Sequence, residues 1–338
     1  MKFDWKSGLG LALTAGLLWW TLRGMSVTDV WAVVRASNWV LFALCTVVAT
    51  CIFPLRARRW RTILEPVAGF IPFGPLWRST AIGVMMNNVF PMRAGEFGRA
   101  FALHRSVPRV PMSTALGSLA VDRMFDAICV FALMFGGMLA PGFPSGATVG
   151  GRSVSEMAVS GIVMIAVLLG GCYAVALQPD RVMGMVRAIA NRVIPKFENK
   201  ILQIVEHGIG GFAVLRDSRR FGEALVWAMA HWVVNALGMY IGFLAIGIDA
   251  PFSAALFLQG ILAVSVIPPS SPGFFGVFEY SSVLGLWVYG VPKELAFSWA
   301  ITYHLLTLVP ISAFGAAYFA QLGLSAKSMA SAKNADSD

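Results

Sequence analysis

Six stretches of this chain, near residues 8–22, 38–55, 112–140, 157–177, 223–247 and 294–320, approach the ~20 apolar residues that a helix needs to cross a ~30 Å hydrocarbon core. Nothing else constrains the fold as strongly. Backbone N–H and C=O groups in lipid must be bonded within the segment, so each such run is expected to be a helix. The chain is 57% apolar and 13% charged over 338 residues, with a positive mean hydropathy, which excludes an ordinary soluble domain. The expected fold is an all-α polytopic integral membrane protein, with a single membrane domain over 1–325 and a disordered C-terminal tail at 326–338.

Met1 to Lys6 followed by "GLGLALTAGLLWW" has the look of a signal peptide, but no small-residue cleavage site precedes Arg23, and Trp19 and Trp20 suit an interfacial belt. It reads as a retained first span. Cys45, Cys51, Cys129 and Cys172 lie inside apolar runs without CxxC or His spacing, so they are expected to be packing residues rather than disulfides or a metal site. The formal charge of +9 would suit nucleic acid only with an exposed basic face and stacking aromatics. Here Arg and Lys gather at span ends, which points to anionic inner-leaflet lipids, with no nucleic acid and no cofactor.

Basic residues also orient the chain. "RARRWR" at 56–61 and the segment 180–220, with Arg181, Arg187, Arg192, Lys196, Lys200, Arg216, Arg219 and Arg220, are expected in the cytoplasm. The poorly basic 141–156 connection is expected outside. Both termini are then cytoplasmic, in a bacterial-type inner membrane. Residues 180–220 read either as a basic amphipathic segment lying on the inner leaflet or as a solvated connector.

Two further hydrophobic regions, 76–105 and 253–289, are broken at their centres by Pro and Gly, so each is expected to be two half-helices meeting at a re-entrant turn. The turns share the pattern P-x-x-x-G-x-F-G: "PMRAGEFG" at 91–98 and "PSSPGFFG" at 269–276. Pro91, Gly95, Gly98, Pro269, Gly273 and Gly276 are the expected turn residues. Each hairpin falls between the second and third spans of a three-span set, and the two sets enter the membrane from opposite sides. This predicts an inverted-topology repeat with halves 1–140 and 157–320.

"NNVFPMRAGEFGRAFALHR" at 87–105, "VDRMFD" at 121–126 and "PPSSPGFFGVFEY" at 268–280, in that order and spacing, resemble the flippase-like membrane domain of lysylphosphatidylglycerol synthases over nearly the whole chain. The wider family includes stand-alone membrane proteins and members linked to hopanoid lipid transport. The resemblance places the family's Pro, Arg, Gly-Glu and Arg on Pro91, Arg93, Gly95, Glu96 and Arg99. Its acidic-Arg pair and later Asp fall on Asp122, where Glu is more usual, Arg123 and Asp126. Its second-turn residues fall on Pro268 or Pro269, Gly273, Gly276 and Glu279. The 338 residues leave no room for an aminoacyl transferase domain, so the expectation is a stand-alone, non-enzymatic member for which lipid translocation remains.

The residues themselves support a candidate substrate site. Glu96 and Arg99 at i, i+3 and Asp122 and Asp126 at i, i+4 each share a helix face, and charges within a membrane cost ~3 kcal/mol or more unless they pair or meet water. Arg93, Arg99 and Arg123 are expected either to hold a lipid phosphate, oriented by Glu96, Asp122 and Asp126, or to form an ion-pair network tying the first hairpin to the third span. Asn87 and Asn88 suit a head group or the helix break. Ser270 and Ser271 suit a substrate or freed carbonyls, and Glu279 and Tyr280 a second site. His231 and His304 are read as packing residues rather than proton relays. The expected function is flippase-like movement of an anionic or amphipathic lipid through a polar cavity between the hairpins, in a possible homo-oligomer. The alternatives are an intramembrane lipid-modifying enzyme, a DedA-like transporter, or a non-transporting partner of a lipid enzyme.

Overall fold

The computed structural model describes residues 16–324 except 18, 91–93, 145–147, 150–151, 154–155, 157–159, 162, 164–165, 168–169, 172, 175–176, 194–201, 203–210 and 268–270. Pro91, Arg93, Pro269, Ser270, most of the stretches expected at 8–22 and 157–177, and the 326–338 tail lie outside the described residues. Among the described residues the fold is helical, apart from a two-residue antiparallel pairing of Thr148–Val149 with Arg152–Ser153 in the 141–156 connection.

The helices are α1 (Val27–Ala36), α2 (Trp39–Thr50), α3 (Ile52–Ala68), α4 (Phe73–Val89), α5 (Gly95–Ser106), α6 (Met112–Leu139), α7 (Pro179–Val193), α8 (Ser218–Ile246), α9 (Phe252–Ser265), α10 (Val277–Trp287) and α11 (Lys293–Gln321). Among the described residues three stretches are long and apolar enough to cross a membrane: Trp39–Ala68, Ser218–Ile246 and Lys293–Gln321. α6 has the length, at 28 residues, but carries Asp122, Arg123 and Asp126. The protein is an integral membrane protein.

Local sequence sets the breaks. Pro54 has no N–H for the Thr50 carbonyl, and the helical run 39–68 is interrupted at Cys51 between α2 and α3. "RARRWR", expected as a loop after the second span, is instead helical: it lies inside α3, with Arg59 and Trp60 fully buried. α2 is capped by Asn38 Oδ1, which accepts from the amides of Val40 (3.1 Å) and Leu41 (3.2 Å), and α8 by Asp217, which accepts from Arg219 and Arg220. α8 ends at Gly247 in the left-handed region.

The order long helix, broken pair, long helix occurs twice, over 39–139 and 218–321. A proline stands directly before the first arm of each broken pair (Pro72, Pro251) and before each closing helix (Pro111, Pro292). The two sets interlock by exchange: α11 packs on α4, α6 packs on α9, and α8 packs on α2 and α3. Glycines lie at the α11–α4 and α6–α9 contacts. A Cβ on Gly315 would overlap Met85 and the Ala81 carbonyl, and one on Gly137 would meet Leu256 and the Ser253 carbonyl.

The end of α4 and the second turn both reach the middle of α11. Asn88, at the end of α4, donates to Ser312 Oγ (2.9 Å), while a Cβ on Gly273 would stand 3.2 Å from Leu308. The 272–274 turn also packs against α4. Between these contacts lies Pro310, which cannot bond the Leu306 carbonyl. In the first hairpin the arms approach through glycine: a Cβ on Gly95 would overlap the Gly83 carbonyl and the Asn87 side chain, and Gly98 lies against Met86. Gly95 thus relieves crowding inside its own hairpin. Gly273 (φ +67°) and Gly276 (φ +82°) occupy a backbone region closed to most L-residues. Gly95→Leu is expected to separate α4 from α5 and lower the thermal unfolding temperature in detergent, whereas Gly184→Leu, on exposed α7 where a Cβ meets nothing within 4 Å, is expected to leave it unchanged. Equal unfolding temperatures for the two variants would contradict this packing.

Candidate functional site

Four helices bring charge together inside the protein. α3 supplies Arg56 and Arg59, α5 supplies Glu96 and Arg99, α6 supplies Asp122, Arg123 and Asp126, and α8 supplies His231 and Trp232. Helical spacing selects these sets, because residues three or four apart share a face. Arg59, with no exposed surface, is the centre: its Nε donates to Asp122 Oδ1 (2.6 Å) and its Nη1 to Asp126 Oδ1 (2.8 Å). Arg99 Nη1 donates to the other Asp122 oxygen (3.0 Å), and Arg123 bridges Asp126 Oδ2 (3.1 Å) and Glu96 Oε1 (3.2 Å). Arg56 reaches Asp126 at 4.0 Å. Trp232 Nε1 adds a donor to Asp126 Oδ1 (3.1 Å), with His231 Nδ1 3.7 Å from the same oxygen.

Four arginines therefore face three carboxylates, an excess of one positive charge. The two aspartates are saturated with donors, but the arginines are not. Arg56 Nε, Arg59 Nη2, Arg99 Nε and Nη2, and Arg123 Nε are buried without an acceptor among the described residues. The Arg99 guanidinium lies over Trp60, 4.1 Å from the ring centroid, and Trp60 is itself held by a bond to Ser118 Oγ (2.9 Å). Arg56, Arg99 and Arg123, with Glu96, Asn87 and the Gly83–Gly95 contact, line an open cleft of about 240 Å3. Unsatisfied guanidinium N–H groups at such a cleft can receive the oxygens of a phosphate or carboxylate.

Residues 8–315 match the lysylphosphatidylglycerol synthase TM region. The chain belongs to that family. It is 25% identical over 294 residues to the Glycosyltransferase AglD of Haloferax volcanii, a match covering 80% of this chain and 47% of AglD. It is 25% identical over 336 residues to a UPF0104 membrane protein of Methanothermobacter thermautotrophicus, covering 94% of this chain and 93% of that one. The chain thus spans about half the length of AglD and nearly all of the second relative.

Of the residues that carried the family resemblance, Glu96, Arg99, Asp122, Arg123 and Asp126 come together in this synthase-type membrane domain, and Arg93 lies outside the described residues. Asn87 is at the cleft, where its Oδ1 accepts from the Gly95 amide (2.8 Å) and so caps α5. Asn88 is turned away to Ser312. Ser271 donates to the Phe275 carbonyl (3.0 Å), the backbone role rather than the substrate role. Arg56 and Arg59 were not among the expected site residues, because their cluster reads as a loop signal. The available sign was their i, i+3 spacing within an unbroken helical pattern reaching Ala68.

Glu279 and Tyr280 do not join the arginine cleft. Glu279, fully buried at the start of α10, accepts from the Gly276 amide through Oε2 (2.6 Å) and contacts His304 Nδ1 through Oε1 (2.7 Å). His304 lies between Phe275 and Phe278, at 4.7 and 4.4 Å between ring centroids. His304 was expected to be a lone packing residue; it is paired. Glu279→Ala orphans a buried amide and a buried imidazole, and is expected to cost about 2 kcal/mol of stability. Thermal unfolding of the purified variant measures this, and an unchanged midpoint would contradict the pairing.

Proposed function

We propose that this protein moves a phosphate-bearing lipid between leaflets, the head group passing through the arginine cleft while the tails stay in the bilayer. One observation carries the reading: Arg99, buried and stacked on Trp60, keeps Nε and Nη2 without an acceptor among the described residues while lining an open cleft. A charge placed only for structure is better served by fuller pairing, as at Arg59, whose Nε and Nη1 each meet an aspartate oxygen and whose guanidinium does not line the cleft. The two roles then divide among residues. Arg59, Asp122 and Asp126 tie α3 to α6, and Asp126 with Trp232 extends the tie to α8. Arg56, Arg99 and Arg123 face the lipid.

The family and relatives support this reading. The matched family is named for a lipid-modifying enzyme's membrane region, and AglD is named a glycosyltransferase. A transport module beside such enzymes would deliver or remove a lipid substrate without itself being an enzyme. The recurring helix order, its four prolines and the meeting of the end of α4 and the second turn on α11 support an inverted repeat with two re-entrant hairpins. Both termini would then lie in the cytoplasm. A single cysteine at position 148 is expected to react with an impermeant reagent in intact cells; reaction only after permeabilisation would contradict the inverted arrangement.

Mass spectrometry of lipid copurifying with the protein tests the site. The wild-type protein is expected to retain a phosphate-bearing lipid, and Arg99→Gln to lose it. Equal lipid content in the two would contradict the assignment.

A further inference from the structure

The end of the molecule away from the arginine cleft holds a second groove. Bonds between helix ends identify the two ends, beginning with the one nearer the arginine cleft. Trp77 to Tyr318 (3.0 Å) joins the start of α4 to the end of α11, and Arg220 to Glu65 (3.0 Å) joins the start of α8 to the end of α3. Arg56, Arg59 and Arg99 sit in the portions of α3 and α5 leading to that side. At the opposite side the Asn38 amide bonds the Ala245 carbonyl (2.7 Å), and Lys293 begins α11.

There a groove of about 470 Å3 is walled by Trp20, Val283, Leu284 and Trp287, with Tyr280 and Lys293 at its rim. Trp20 is 59% and Trp287 69% exposed, so two indole rings present bare faces along it. Lys293 Nζ donates to the Arg23 carbonyl (3.0 Å), which fixes the ammonium at the rim and leaves it two further N–H groups. The Arg23 guanidinium lies 5.5 Å from the Trp19 ring centroid. Among the described residues neither cation has a carboxylate within ion-pair distance, although Glu294 follows Lys293 in the first turn of α11. Tryptophans beside Lys and Arg at the end of a membrane helix mark the depth of the head groups. Lys293 precedes Leu308, where the second turn meets α11, by roughly 22 Å of helix at 1.5 Å per residue.

We propose that this groove docks a membrane phospholipid with an anionic head group, its phosphate on Lys293 and one acyl chain along Trp20, Leu284 and Trp287. Apolar walls that bear a cation at one end match an amphipathic anion and not a protein segment or a neutral solute. On the translocation reading it is where the lipid waits on the side opposite the arginine cleft; docking itself does not depend on that reading.

The test is lipid retention by the full chain in nanodiscs of equal phosphatidylglycerol and phosphatidylcholine, stripped with detergent and counted by native mass spectrometry. Wild-type protein is expected to retain phosphatidylglycerol over phosphatidylcholine. Lys293→Gln is expected to weaken that retention about fivefold, the ~1 kcal/mol that one basic residue contributes at an anionic surface. Trp287→Ala, at an exposed position, is expected to lower retention of both lipids. Arg99→Gln, which empties the other cleft, is expected to leave the Lys293-dependent fraction in place, so loss of the translocation site and loss of this one read differently. Unchanged phosphatidylglycerol retention in Lys293→Gln, or retention of the two lipids in equal amounts by the wild type, would overturn the proposal.

Discussion

Arg59→Ala is expected to cost about 3–5 kcal/mol, enough to prevent accumulation of a folded protein, because it leaves buried carboxylates without their central partner. Asp122 would keep only Arg99, and Asp126 would keep Trp232, Arg123 and the distant Arg56. Arg59→Lys is expected to recover only part of the loss, since a point charge cannot reach both oxygens as the planar fork does at 2.6 and 2.8 Å. Expression level and the thermal transition in detergent read the outcome. A variant that folds with wild-type stability would show that the network is not what joins α3 to α6.

Arg99→Gln should behave in the opposite way. Its removal deprives Asp122 of one donor while Arg59 remains, so the thermal transition is expected to persist with a loss of about 1–2 kcal/mol. Transport is expected to fall about 10–100-fold, corresponding to the ~1.5–3 kcal/mol of hydrogen bonding to a charged group. If stability and transport fall together, Arg99 belongs with Arg59 as a strut. If transport is unchanged, the phosphate site lies elsewhere.

The broken regions were legible because Pro and Gly interrupt otherwise unbroken apolar runs, and the helices stop at Val89 and resume at Gly95, and stop at Ser265 and resume at Val277. Glu96, Arg99, Asp122, Arg123 and Asp126 were legible for a related reason: charge amid apolar residues is costly, and helical spacing put the members of each pair on one face. Arg56 and Arg59 were missed as cluster members because the rule that reads Arg runs as loops counts charges without their partners. Asp122 and Asp126, more than sixty residues on, cancel that cost, and one-dimensional spacing carries no trace of it. His304 was hidden likewise, its partner Glu279 being a member of another helix. Asn88 and Ser271 were left open between a substrate and the local backbone, since the neighbours they bond, Ser312 and the Phe275 carbonyl, are seen only in the fold.

The most direct test of phosphate-lipid translocation is a leaflet-resolved assay in liposomes reconstituted with the full chain. It compares labelled phosphatidylglycerol with a neutral glycolipid bearing the same tails. The protein is expected to speed phosphatidylglycerol crossing above the protein-free rate while leaving the glycolipid at that rate, because only the former offers oxygens to Arg56, Arg99 and Arg123. Crossing of phosphatidylglycerol at the protein-free rate, or equal acceleration of both lipids, would contradict the account.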